Sequence, residues 1–107
     1  MELIEELQNT NTQAFDKWFD RWFEKNDFPN IFKNAAQQGY SGFSIKLANS
    51  TPLSEQDKYL NRRLRDPRTV TKLKEKLPEI SIKFTKEEKT GFFGIRYTVE
   101  ELVFNWE

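Results

Sequence analysis

Between residues 12 and 25 the chain places Phe15, Trp18, Phe19, Trp22 and Phe23 at i, i+3, i+4, i+7 and i+8, with Asp16, Lys17, Asp20, Arg21, Glu24 and Lys25 between them. That spacing predicts an amphipathic helix with one aromatic face. Hydrophobic residues make up only 36% of the 107, yet ten Phe and three Trp make those few positions large. A core filled by a small number of bulky rings is the expectation, and the stripe belongs inside it rather than on an exposed partner-binding face. The length suits one domain with a real core.

Asn26, Asp27 and Pro29 interrupt the first helix, and Ile31, Phe32, Ala35 and Ala36 begin a shorter one that stops at Gly39. Leu3, Ile4 and Leu7 predict a separate helical turn ahead of the polar run at residues 8–11. Phe43, Ile45 and Leu47 alternate with Ser44 and Lys46, which reads as a half-buried strand ended by the polar cluster at residues 49–52. Ser54 with Asp57 three residues on predicts an N-cap for a helix whose inner stripe is Tyr59, Leu60 and Leu64. Asp66 and Pro67 start the next helix, with Val70, Leu73 and Leu77 inward and Pro78 as the stop.

Ile80, Ile82 and Phe84 alternate, as do Phe93, Ile95, Tyr97 and Val99, predicting an antiparallel hairpin across a polar loop at residues 86–91. The last segment reads as a continuing strand with a bulge near Glu100 and Glu101. The expected architecture is one α+β domain over residues 1–107. Its order is ααβααββ, with helices on one face of a small, mainly antiparallel three-stranded sheet.

Cys and His are both absent, which removes disulfides, thiolate chemistry, imidazole or thiolate zinc sites and His-based triads together. No stretch approaches the roughly 20 apolar residues of a membrane span, and the acidic start, Met1 to Glu6, is unlike a secretory signal. A cytoplasmic, non-enzymatic protein without cofactor or metal is expected. One three-residue match, Glu87-Glu88-Lys89, has the Glu-x-Lys form of some metal-dependent nucleases. Its predicted place is a loop, and Asp66, the nearest upstream Asp, is better explained as a helix cap.

The formal net charge is zero, but charge is segregated. Lys58, Arg62, Arg63, Arg65, Arg68, Lys72, Lys74 and Lys76 against Asp66 and Glu75 give residues 58–76 a charge of +6, leaving −6 elsewhere. On the predicted helices Lys58, Arg62 and Arg65 form one basic stripe, and Arg68, Lys72 and Lys76 another. Phosphate binding is the direct functional reading, with Arg68, Thr69 and Lys72 near a groove in a loosely helix-turn-helix arrangement. The alternative is pairing with acidic surface, since residues 1–27 hold seven acids against three bases. A partner protein or a second copy of the chain would use the acidic helix and the basic helices in that way.

A second basic surface is expected on the outer sheet face, where the strand phases place Lys46, Lys83, Phe92 and Arg96 without an acid. There Gly91-Phe92-Phe93-Gly94-Ile95-Arg96-Tyr97 partly resembles the aromatic RNA-stacking motif of RNA-recognition domains. Phe93 and Gly94 reverse that motif's order, so an ordinary solvated face is the stronger expectation. As a whole, with runs such as Trp22-Phe23-Glu24-Lys25-Asn26-Asp27-Phe28 and Tyr59-Leu60-Asn61-Arg62-Arg63-Leu64, the chain resembles small proteins encoded by phages and prophages of AT-rich Gram-positive bacteria. That resemblance implies a binding role, toward DNA or toward a host protein that is inhibited. The leading expectation is a nucleic-acid or acidic-partner surface at Lys58, Arg62, Arg63, Arg65, Arg68, Lys72 and Lys76.

Overall fold

A computed structural model of the chain describes residues 2–49 and 52–107; Met1 and two residues of the expected strand-ending cluster, 50 and 51, lie outside the described residues. The element order is α1 (Leu3–Asn26), α2 (Phe28–Gln37), β1 (Gly42–Lys46), α3 (Glu55–Arg65), α4 (Pro67–Lys76), β2 (Ser81–Thr90) and β3 (Arg96–Asn105). This is the α+β order ααβααββ. No described helix is long and apolar enough to cross a membrane. Contacts divide the chain into two compact units, one ending at Asn34 and the other running from Ala35 to Glu107.

In the first unit α1 is one continuous helix of 24 residues, so the separate initial turn expected at Leu3, Ile4 and Leu7 is part of it. Nothing from Leu3 to Asn26 is Gly or Pro, and a helix once nucleated propagates through Gln, Asn and Thr at small cost per residue. The aromatic stripe buries Phe15 and Phe19, leaving Trp18, Trp22 and Phe23 half-buried. The rings form a ladder, with Trp18 stacked on Trp22 at 5.2 Å and Phe19 on Phe23 at 5.8 Å. Asp27 takes a left-handed conformation (φ 48°) that ends α1. Its carbonyl accepts from the Asn30 and Ile31 amides at the start of α2, and the buried Phe28 ring lies 5.2 Å from Trp22 and 5.6 Å from Phe23. Each ring pair placed in this way contributes about 0.5–1.5 kcal/mol beyond the area buried.

In the second unit β3 is the central strand of an antiparallel sheet ordered β1-β3-β2. Phe43 pairs with Phe104 and Phe104 with Ile82; Ile45 pairs with Leu102 and Leu102 with Phe84. These six residues share one face, on which Ile82, Leu102 and Phe104 are buried. Gly42 is required at its place, because a Cβ there would stand 2.7 Å from the Phe104 carbonyl oxygen. Helix α4 packs along β2 and α3 against α4. Arg65 of α3 reaches Glu100, which shares the Leu102 and Phe104 face, so α3 lies on that side of the sheet.

Three expectations for the hairpin are corrected. Residues 86–90, read as loop, continue β2 and pair in unbroken register from Lys86 with Glu100 to Thr90 with Arg96. They are polar at every position because every one is exposed, so alternation is absent where there is no core to face. The same register runs through Glu100 and Glu101 without a bulge. The inward phase of β3 is also the opposite of the one expected. Leu102 and Phe104 set it, while Phe93 lies outside the strand in the tight turn Phe92–Gly94 and is fully exposed.

Candidate functional site

The α3–α4 junction forms as its local chemistry dictates. The Ser54 hydroxyl accepts from the Asp57 amide at 3.0 Å, and the Asp66 carboxylate accepts from the Arg68 amide at 3.0 Å, with Pro67 in the first turn of α4. Asp66 also takes the Arg68 guanidinium, Nη2 at 2.6 Å and Nε at 3.1 Å to both oxygens. That side-chain hydrogen bond holds the Asp66 carboxyl below the usual carboxylate range, against the opposing effect of partial burial.

The seven basic residues differ in their surroundings. Lys58 pairs with Glu55 at 3.4 Å, Arg65 with Glu100 at 2.6 Å, and Arg68 with Asp66. Those three are committed to the fold's own carboxylates; Glu100, only 13% exposed at its side chain, is a partly buried anchor for α3. Arg62 and Arg63 both lie over the Tyr59 ring, 5.3 and 5.1 Å from its centroid, and Arg63 Nε donates to Tyr59 Oη at 3.2 Å. Tyr59 is therefore an exposed platform, although its helical position had predicted an inward side chain. Lys72 is half-buried on α4 and Lys76 exposed. Arg62 and Lys76 form no ion pair among the described residues.

The helix-turn-helix-like reading of Arg68, Thr69 and Lys72 is overturned at two positions. Thr69 is fully buried, its hydroxyl donating to the Arg63 carbonyl at 2.6 Å, and Arg68 folds back onto Asp66. Asn61 was likewise missed as a buried group: it is 3% exposed and its amide donates to the Ala48 carbonyl at 2.8 Å. Both are polar residues whose burial depends on a carbonyl brought from another segment, which periodicity does not encode.

The basic sheet face is also redistributed. Lys46 and Lys83 do share a face, but Glu87 and Glu101 share it too, and Lys46 pairs with Glu101 at 3.9 Å. Arg96 points to the other face, since it pairs with Thr90 in the phase of Ile82 and Phe84. Phe92 belongs to the hairpin tip and not to the sheet. Glu87 and Glu88 sit on an exposed strand and point to opposite faces. No group of three acids among the described residues is placed to hold a metal ion. An open cavity of about 260 Å³ adjoins the Arg65–Glu100 pair, lined also by Leu47, Leu53 and Lys86. Two cations there face one carboxylate that is already bound.

The hairpin tip is the other concentration of unusual side chains. Phe92 is 90% exposed and Phe93 100%, with Ile95 and Tyr97 also exposed. The Gly91 amide donates to the Ile95 carbonyl at 2.7 Å and the Ile95 amide to the Phe92 carbonyl at 3.4 Å, with Phe93 (φ 62°) and Gly94 (φ 73°) between them. Positive φ at both central residues is the type I′ pattern, for which Asn-Gly rather than Phe-Gly is the usual sequence. Comparison with protein-family models, with curated proteins and with solved structures finds no match for the chain.

Proposed function

We propose that the protein is a non-enzymatic accessory protein of the cytoplasm that binds nucleic acid, or a complex that processes it, through the exposed part of the α3–α4 surface. The observation that carries this reading is the pair of guanidiniums, Arg62 and Arg63, on the Tyr59 ring. Adjacent like charges oppose each other in the free protein, and Arg62, exposed over the ring and in no ion pair among the described residues, can turn the edge of its guanidinium to a phosphate. On α4, Lys76 is exposed and Lys72 half-buried. Arg65, Arg68 and Lys58 take a supporting role, fixing the helices through Glu100, Asp66 and Glu55.

Fluorescence anisotropy with labelled DNA and RNA at low salt tests this. Binding should weaken linearly in log–log salt titrations, and each lost phosphate contact should flatten the slope by about 0.7–0.9. Removing Arg62 and Arg63 together as Gln should weaken binding to all sequences alike. Wild-type affinity poorer than about 100 µM, below ordinary non-specific binding, removes the reading.

A second reading, a protein-interaction module, is favoured by the first turns of α1. Leu3, Ile4 and Leu7 are each at least 60% exposed beside Glu5 and Glu6. An apolar, acidic helix end of this kind suits a basic partner surface, on a host protein or on a second copy of the chain. Size-exclusion chromatography with light scattering at low and high salt distinguishes the second copy. A monomer at both would remove charge-driven self-association.

A further inference from the structure

We infer that the β2–β3 hairpin tip, residues 89–97, is a second contact for nucleic acid, at which Phe92 and Phe93 stack on unpaired bases while Lys89 and Arg96 meet the neighbouring phosphates. The inference rests on the nucleic-acid reading of α3–α4 and adds to it the form of the ligand, a single strand.

Three observations carry it. Phe92 and Phe93 are adjacent and exposed, so neither contributes to the core. Phe93 also holds a left-handed backbone that a bulky residue seldom adopts, at a position where a smaller polar residue would sit with less strain. Finally, residues 89–97 contain two bases and no acid, and neither Lys89 nor Arg96 forms an ion pair among the described residues. The nearest acid on the ribbon, Glu88, stands opposite Thr98, one step farther from the tip.

Exposed rings beside unpaired cations are complementary to a flexible polyanion whose bases offer free faces, and such stacking tolerates any sequence. A duplex would have to unstack first, and offers these rings less. Lys89 and Arg96 project from opposite faces of the ribbon, because their partners Tyr97 and Thr90 are of opposite phase. A strand crossing the tip can therefore meet a cation on either side of the rings. Tyr97 adds a half-exposed ring held against Gly91, where a Cβ would meet its Cε1 at 3.3 Å.

The test is anisotropy with a labelled oligothymidine of about 15 nucleotides and a duplex of equal length. The variants are Phe92→Ala with Phe93→Ala, Lys89→Gln with Arg96→Gln, and Arg62→Gln with Arg63→Gln. The aromatic pair should cost the single strand at least about tenfold in affinity with the salt slope unchanged, and cost the duplex much less. The tip cation pair should flatten the single-strand slope by about 1.4. Wild-type oligothymidine affinity in the aromatic variant, with loss in the Arg62/Arg63 variant, overturns the tip contact while the helix surface stands. Equal losses on single strand and duplex also overturn it, as does a wild-type oligomer that dissociates when the rings are removed, since the tip would then be a self-interface. Failure of the wild type to bind either probe removes both readings.

Discussion

Phe19 and Phe93 are the same side chain in opposite circumstances, the first fully buried in α1 and the second fully exposed at a hairpin tip. In α1 the ring is one of a ladder running from Phe15 through Trp22 to Phe28, so its contribution is shared with neighbours that hold its rotamer. At the tip the ring touches water, and the backbone under it is strained. Sequence composition treats the two rings as equal. Their difference lies in what surrounds them, and this separates the part of the aromatic content that holds the fold from the part available to a ligand.

The comparison breaks first on stability. Phe19→Ala should lose about 3–5 kcal/mol, the usual cost of emptying a buried aromatic site, and a marginal domain of this size could unfold outright. Urea titration followed by Trp fluorescence would measure it, with Trp18 and Trp22 as the reporters nearest the site. A loss below about 1 kcal/mol would mean that the α1 ladder is not the stabilising core it is argued to be.

Gly94→Ala is next in size and acts through the backbone alone. A Cβ at Gly94 meets nothing within 4 Å, but φ is +73°, so the substitution should cost about 1–2 kcal/mol with no change in packing. The loss should be local, appearing as faster amide exchange at Gly91 and Ile95, whose amides close the turn. Unchanged exchange at both would show that the turn does not need positive φ there.

Between these extremes stands the α3–α4 junction, held by polar contacts rather than rings. Asp66→Ala removes an N-cap and the partner of Arg68, and about 1 kcal/mol should go with it. The pH dependence supplies the sharper distinction. Because the folded state depresses the Asp66 carboxyl, its contribution is present above the ordinary carboxylate value and is lost as pH falls through the folded value. The acid side of the stability profile should therefore flatten in Asp66→Ala and stay steep in Phe19→Ala. Parallel acid limbs in wild type and Asp66→Ala would refute the assignment.

The junction was also the most legible part of the chain, because Ser54 and Asp66 accept from amides three and two residues on, Pro67 suits the first turn, and none needs a tertiary partner. The aromatic stripe was legible for a similar reason, as its period is set within one helix. The hairpin was not. Apolar residues occupy both phases of β3, Tyr97, Val99 and Val103 in one and Leu102 and Phe104 in the other. Only pairing to Ile82, Phe43 and Ile45 decides which phase faces the core. For the binding surface, the sequence located the basic block but could not tell Arg62, over the Tyr59 ring, from Arg65 and Arg68. That distinction depends on Glu100, distant in sequence, and on the way Arg68 folds back to its own cap.

The smallest expected effect is the most discriminating. Phe93→Asn places at the first central turn position a residue that accepts left-handed backbone, and it gives the turn the Asn-Gly pair that type I′ geometry favours. No buried contact is lost, so stability should stay level or rise by roughly 0.5 kcal/mol. If the ring is there for a ligand, the same substitution should weaken single-strand binding, and a turn with better backbone chemistry would serve the protein worse. A substitution that lowers stability instead would mean that Phe93 holds the hairpin together despite its exposure, and the contrast between the two rings would lose its physical basis.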